Sequence, residues 1–97
     1  MELALSDFER LLGQSFEVPS EVDGEVYTRL VLNEVSRLPH RHPSRPEPFS
    51  LTFNGPSERP LDQGTYCLSH ETAGDLEIFI VPIGESDQIR RYQAVFN

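Results

Sequence analysis

Four residues of this 97-residue chain could in principle bind one metal ion: His40, His42, Cys67 and His70. Imidazole nitrogen and thiolate sulfur are ligands that zinc prefers. The two-residue spacing of His40 and His42 would point both rings to one side of an extended segment. Cys67 and His70 do not suit that arrangement, because residues three apart on a strand face opposite sides. The spacing therefore gives little support to a zinc site.

The segment around the histidine pair, residues 38–50, is also poorly suited to a cation. Arginines at positions 37, 41 and 45 place positive charge where a dication would lie. Prolines at positions 39, 43, 46 and 48 favour extended polyproline II geometry over the tight knuckles of structural zinc sites. We interpret this segment as a stiff, exposed connector and predict no metal site and no cofactor.

Nucleophilic and acid–base chemistry also find little support. Cys67 lies within a predicted strand, with no helix N-terminus or glycine-rich turn to lower its thiol pKa, so we expect a half-buried filler. His70 ends that strand and is expected to hold the following HETAG turn by hydrogen bonds. The chain lacks the motifs GxGxxG, HExxH, GxSxG and CxxC. We predict no catalytic residue and no enzyme activity.

Two alternatives to a non-enzymatic binding protein stay open. The first is a small ligand-binding or enzymatic barrel, which requires four side chains to converge at one mouth: Tyr66, His70, Arg91 and Tyr92. The second is an acidic inhibitor of a basic partner, which requires contiguous carboxylates on one face. The acidic residues are instead spread through the predicted turns and interleaved with arginines.

The charge balance limits the partners. Sixteen acidic residues against eight basic ones, all arginine, give a net charge of −8. Such a surface repels phosphate backbones and anionic lipids, so we expect no nucleic-acid or membrane partner. A single cysteine excludes an internal disulfide. The opening residues MELALSDFER do not resemble a secretory signal, and no apolar run reaches membrane-spanning length, so the expected location is the cytoplasm.

The hydrophobic pattern predicts one helix followed by strands. A helix over 6–12 is expected to begin at Ser6, with Glu9 completing a capping box, and to end at Gly13 in a left-handed conformation. Alternating apolar residues predict six strands, at 15–18, 25–36, 49–54, 65–70, 76–82 and 90–96. Val35 breaks the alternation of its strand, which predicts a bulge near Asn33 and Glu34.

The strand at 76–82 is apolar at nearly every position, so we expect it to be covered on both faces and to end at Pro82. A central strand of that kind favours a closed barrel. The predicted fold is therefore a single domain over 1–97, a six-stranded antiparallel barrel with one short N-terminal helix. A two-sheet sandwich is the alternative.

Several runs together resemble a family of small bacterial domains of unknown function: FERLLGQSFEV, FSLTFNGP, PLDQGTYCLSH, IFIVPIG and YQAVFN. The recurring pattern opens with F-x-x-LLGQ-x-F and closes with Y-x-A-VFN, and it covers nearly the whole chain apart from the proline–histidine segment. The family implies no activity. Its members are similar to proteins found near phage-tail-collar-like proteins, which implies an accessory role in such a structure. Gly55 and Gly64 are expected at tight turns that need positive φ.

The leading hypothesis is a non-enzymatic barrel that binds a protein partner. The last strand is expected to lie at a sheet edge, where unpaired backbone groups can accept another chain. Its inward-facing residues, Tyr92, Ala94 and Phe96, mark that predicted edge. We expect a homodimer formed through it.

Overall fold

The computed structural model describes residues 4–39 and 47–96, so the histidine pair at 40 and 42 lies outside the described residues. One helix and six strands follow in chain order: α1 Leu5–Glu9, β1 Ser15–Pro19, β2 Val26–Arg37, β3 Phe49–Pro56, β4 Gly64–His70, β5 Gly74–Ser86 and β6 Ile89–Phe96. The strands form a closed antiparallel barrel in the order β1-β2-β3-β6-β5-β4. The predicted fold class is confirmed, and the barrel is found in place of the sandwich.

The inward side chains of the six strands form one apolar core. Phe16, Leu30, Leu51, Phe53 and Ile80 are fully buried there. Phe16 and Phe53 meet edge to face, with ring centroids 5.7 Å apart. The barrel closes where Glu17 of β1 pairs with Ser69 of β4. The side chains on the outer faces of the strands therefore form most of the protein surface.

Helix α1 covers one end of the barrel but is shorter than predicted. It is capped by Ala4 and not by Ser6: the Ala4 N–H donates to Asp7 Oδ2 at 2.8 Å. Phe8 is fully buried and packs on Phe49 and Phe96, at centroid distances of 5.7 and 5.5 Å. Within residues 4–39 and 47–96, no helix is long and apolar enough to cross a membrane.

Two bulges bend the long strands. The predicted bulge in β2 is confirmed by a register shift between Leu32 and Glu34, and Val35 packs against the core. The second lies in β5, between Pro82 and Gly84. It corrects the prediction that Pro82 ends the strand: Pro82 lies opposite Tyr92, and β5 continues to Ser86. A bulge is one of the few places in a sheet that tolerate a proline.

The predicted turn glycines have another role. Neither Gly55 nor Gly64 has positive φ, so the expectation of tight turns there is wrong. Gly55 lies inside β3, where a Cβ atom would come within 2.6 Å of Leu30 Cδ2. It is needed for this close approach and not for its backbone angles. Positive φ occurs at Asp87 and Gln88 in the β5–β6 hairpin and also at Gly13, where the predicted left-handed conformation is confirmed.

Candidate functional site

The outer face of β5 carries an apolar stripe, defined by Phe79, Val81 and Ile83. Phe79 is 51% and Ile83 48% exposed, while Ile78 and Ile80, the residues on either side of Phe79, are buried. This alternation follows from the two-residue period of a strand. The prediction that both faces of this strand are covered is therefore wrong, because the outer face is open to solvent. The bulge at Ile83 leaves that residue without a register partner and turns it outward with Gly84.

Residues of β6 extend the stripe sideways. Val95 is 51% exposed and lies on the outer face, two residues beyond Gln93, which pairs with Val81. Arg91 pairs with Gly84 and is also exposed. A Cβ atom at Gly84 would come within 3.1 Å of an Arg91 guanidinium nitrogen. The absence of a side chain at Gly84 therefore leaves room for the guanidinium next to this residue.

The opposite end of the stripe is acidic. Glu77 is exposed on the same outer face of β5, two residues before Phe79, and pairs with Cys67 of β4. Asp75 precedes it by two residues and accepts a hydrogen bond from Ser69. The outer face of β5 thus runs from carboxylates, through the apolar stripe, to a guanidinium.

Arg91 differs from most arginines of the barrel. Arg29, Arg37 and Arg90 form ion pairs with Glu17, Glu47 and Glu85. Arg59 lies over the Tyr27 ring, 5.3 Å from its centroid. Arg91 forms no ion pair with any residue in 4–39 or 47–96, so its charge is available to a partner.

The predicted interaction edge needs correction. β6 pairs with β3 along its whole length and with β5 from Ile89 to Gln93, so most of it is an interior strand. Ala94 and Phe96 lie beyond the last β5 pair, but both side chains face inward: Ala94 is buried, and Phe96 stacks on Phe49 at 4.8 Å. Tyr92 is fully buried, and its hydroxyl accepts a hydrogen bond from the Leu61 N–H at 2.9 Å.

The four side chains of the alternative pocket do not converge. Tyr66 and Tyr92 both contact the loop over 57–63, where the Tyr66 hydroxyl donates to the Asp62 carbonyl at 2.8 Å. His70 lies four residues along β4 from Tyr66, roughly 13 Å away at the usual rise of a strand. Arg91 points outward from the barrel. The structure thus offers no common mouth for these groups.

His70 serves the turn that follows it, as predicted. Its Nδ1 accepts hydrogen bonds from the backbone N–H groups of Thr72 and Ala73, both at 3.1 Å. Its Nε2 lies 2.6 Å from Gln14 Oε1, and the ring packs on Phe16 at a centroid distance of 5.1 Å. Every polar atom of the imidazole is therefore engaged within the chain.

Cys67 is half-buried, as predicted, and is not activated. Burial raises the pKa of its thiol, and the carboxylates of Asp75 and Glu77 raise it further. Both effects disfavour the thiolate that a nucleophile or a metal ligand requires. Among residues 4–39 and 47–96, no group of three or more His, Cys, Asp or Glu side chains could hold a metal ion.

Comparison with protein families identifies the group to which the barrel belongs. The model of the family described as "Domain of unknown function (DUF6916)" matches residues 3–96. The chain is a DUF6916 domain. No curated protein and no solved structure matches it.

Sequence reasoning missed the main surface feature of this DUF6916 domain. The signal was present: the apolar run LEIFIVPI supplies inward residues and outward ones alike. Such a run is typical of a strand covered on both faces, which is the prediction made from the sequence. The alternative meaning of the same pattern is a strand whose outer face is left for a partner.

Proposed function

We propose that this DUF6916 domain is a non-enzymatic protein-interaction module that docks on a protein partner through the β5 stripe. One observation carries the proposal: Phe79 and Ile83 are half exposed on one strand face, and Val95 of the neighbouring strand β6, also half exposed, extends this apolar surface. Exposed apolar area costs about 25 cal/mol per Å² relative to burial. Contiguous exposed apolar side chains rimmed by charge are typical of interaction sites.

The side chains with catalytic potential support a binding role over an enzymatic one. The imidazole of His70 is occupied by three hydrogen-bond partners. The hydroxyls of Tyr66 and Tyr92 are each bonded to the same loop. General acid–base catalysis needs such groups to reach one reacting atom together. Here they form hydrogen bonds that stabilise a turn and a loop.

The charges define the chemistry of the partner. The net charge of −8 disfavours nucleic acid and anionic membranes, so the expected partner is a protein. Its docking surface should be apolar at the centre and should offer a carboxylate to Arg91, since guanidinium and carboxylate pair through two parallel hydrogen bonds. An isolated surface ion pair adds little affinity, so we expect the apolar contact to dominate.

The narrower role that we propose is assembly of a phage-tail-like structure in the cytoplasm. It is supported by the resemblance to proteins found near phage-tail-collar-like proteins. The test is to sediment tail-like particles from the source cell and probe them for this domain. Recovery with the particles supports the accessory role, and recovery only in the free-protein fraction argues against it.

Site-specific photocrosslinking in the source cell tests the docking surface. A benzophenone amino acid replaces Phe79 in one variant and Val22 in a matched control, because Val22 is 94% exposed in the β1–β2 turn. We expect a discrete crosslinked protein from position 79 and none from position 22. The identified partner, once purified, should bind the wild-type domain but not the Ile83→Glu variant. Equal crosslinking from both positions would overturn the proposal.

A further inference from the structure

We infer that the partner of the β5 stripe is a second copy of this chain, packed face to face about a two-fold axis; this inference rests on the proposed docking function. A two-fold interface is self-complementary, so each group must find its complement elsewhere on the same surface. The outer face of β5 meets that condition. It carries Glu77 at one end and apolar side chains in the middle, and the guanidinium of Arg91 from the neighbouring strand β6 lies beside Gly84 at the other end.

The spacing along β5 satisfies the two-fold symmetry. Glu77 marks the acidic end, and Arg91 lies beside Gly84 at the other. Because Ile83 is an extra residue at the bulge, six strand steps of about 3.3 Å separate Glu77 from Gly84, and each lies roughly 10 Å from the midpoint at Ile80. An axis through that midpoint brings Glu77 of one copy level with Arg91 of the other, and the same contact is repeated by symmetry.

The apolar residues fit the same axis. When two such strands run antiparallel face to face, Phe79 of one copy lies opposite Val81 of the other. A large side chain then meets a smaller one on each side of the axis, in the way that packed sheets interdigitate. The two Phe79 rings flank the axis, and the two ion pairs close the ends.

The charges select this partner. Each chain carries a net charge of −8, so random approach of two copies is repulsive. The proposed packing brings each Glu77 to an Arg91 that has no ion pair within residues 4–39 and 47–96, so opposite charges meet at both ends of the contact. The stripe is small, and we therefore expect a weak dimer with a dissociation constant in the micromolar range.

A charge-swap experiment tests the contact directly. Arg91→Glu and Glu77→Arg are prepared as separate variants, and their self-association is measured by analytical ultracentrifugation. In each variant like charges meet twice across the axis, so we expect dimerisation at least about tenfold weaker than in the wild type. An equimolar mixture should form a heterodimer, because every contact then joins one acid to one arginine.

Arg10→Glu and Glu25→Arg serve as matched controls, since both residues are exposed and neither lies on β5 or β6. These variants, alone or mixed, should dimerise like the wild type. Unchanged thermal unfolding of all four variants confirms that the barrel is intact. A third variant, Phe79→Glu, should be monomeric.

A wild-type chain that stays monomeric at high micromolar concentration overturns the inference, and so does a dimer that Arg91→Glu leaves unchanged. Failure here is distinguishable from failure of the proposed function. If the chain is monomeric and residue 79 crosslinks to a different protein, the partner is not a second copy, but the proposed docking surface stands. If the chain is monomeric and position 79 gives no specific crosslink, both the dimer and the docking surface are wrong.

Discussion

The imidazole of His70 accepts two backbone hydrogen bonds at Nδ1, from Thr72 and Ala73, and faces Gln14 Oε1 at Nε2. A nitrogen that accepts two N–H groups does not carry the ring hydrogen, so the hydrogen bonds place that hydrogen on Nε2, facing Gln14 Oε1. That tautomer joins the β4–β5 turn to the chain just before β1. Nitrogen NMR of the imidazole at neutral pH should show this tautomer.

Replacing His70 should therefore affect stability. We expect His70→Ala to lower the free energy of unfolding by about 1–3 kcal/mol, because it leaves the turn N–H groups and Gln14 Oε1 without their partner. Urea unfolding measures the change. Glu71→Ala, at the exposed neighbouring position, should shift stability by no more than ~0.5 kcal/mol. Equal effects of the two substitutions would contradict the assigned role.

Gly55 and Gly64 allow a second test at this scale. A methyl group at Gly55 would lie 2.6 Å from Leu30 Cδ2 in the fully buried core, whereas at Gly64 the nearest atom is 3.7 Å away. We expect Gly55→Ala to destabilise the barrel by about 1–3 kcal/mol through overpacking. Gly64→Ala should be close to neutral in the same urea unfolding assay. A neutral Gly55→Ala would mean that Leu30 moves aside without cost.

The raised pKa of the Cys67 thiol leads to a reactivity prediction. Burial and the neighbouring Asp75 and Glu77 carboxylates hold the thiol protonated, so less thiolate is present at a given pH. Alkylation by iodoacetamide at about pH 8 should be slower in the folded chain than in urea. Glu77→Gln should accelerate the folded-state reaction, and Glu58→Gln, in the loop over 57–63, should not. A folded chain that reacts as fast as the unfolded one would refute this.

At the scale of elements, the β5–β6 hairpin turns through two residues that both have positive φ, Asp87 at 52° and Gln88 at 67°. Such a turn matches the twist of the strands but strains a side chain at its second position. We expect Gln88→Gly to raise the free energy of unfolding by about 0.5–1 kcal/mol, because glycine adopts positive φ without the clash that a Cβ atom causes. Gln93→Gly, within β6, should lower it, since glycine weakens a strand. Thermal unfolding of both variants checks the opposite signs.

Local patterns in the sequence predicted the elements better than their surroundings. The alternation of Phe49, Leu51 and Phe53 predicted β3, and the broken alternation at Val35 predicted the β2 bulge. The helix cap was missed because the Ala4 N–H is bonded by Asp7, two residues ahead of the predicted capping box of Ser6 and Glu9. The strand and the bulge depend on residues close together in the chain, so the sequence pattern predicts them directly.

Features set by distant residues were out of reach. Leu61 donates to Tyr92 across 31 positions, and Gln14 meets His70 across 56. No local pattern signals either contact. Likewise, the pairing of β6 between β3 and β5 removed the expected edge, because strand order depends on closure of the whole barrel. The candidate site was missed for a related reason: an apolar run does not show which of its faces the rest of the chain covers.

At the scale of the whole molecule, substitutions can distinguish an interaction surface from the core: the first should change self-association, and the second should change the free energy of unfolding. Phe79 lies on the outside of the barrel and Phe53 in its core, at 51% and 0% exposure. We expect Phe79→Thr to change the free energy of unfolding by less than about 1 kcal/mol, because threonine suits an exposed strand face. Phe53→Thr should cost about 3–5 kcal/mol, as loss of a buried aromatic ring does.

Self-association should show the reverse order. Phe79→Thr removes the central apolar contact of the proposed dimer, so sedimentation should show a monomer that remains as stable as the wild type. Phe53→Thr, at temperatures where it is still folded, should keep the wild-type dissociation constant, because its side chain does not reach the surface. If Phe79→Thr instead destabilised the fold and left the dimer unchanged, the outer face of β5 would be structural, and the interaction surface would lie elsewhere on the barrel.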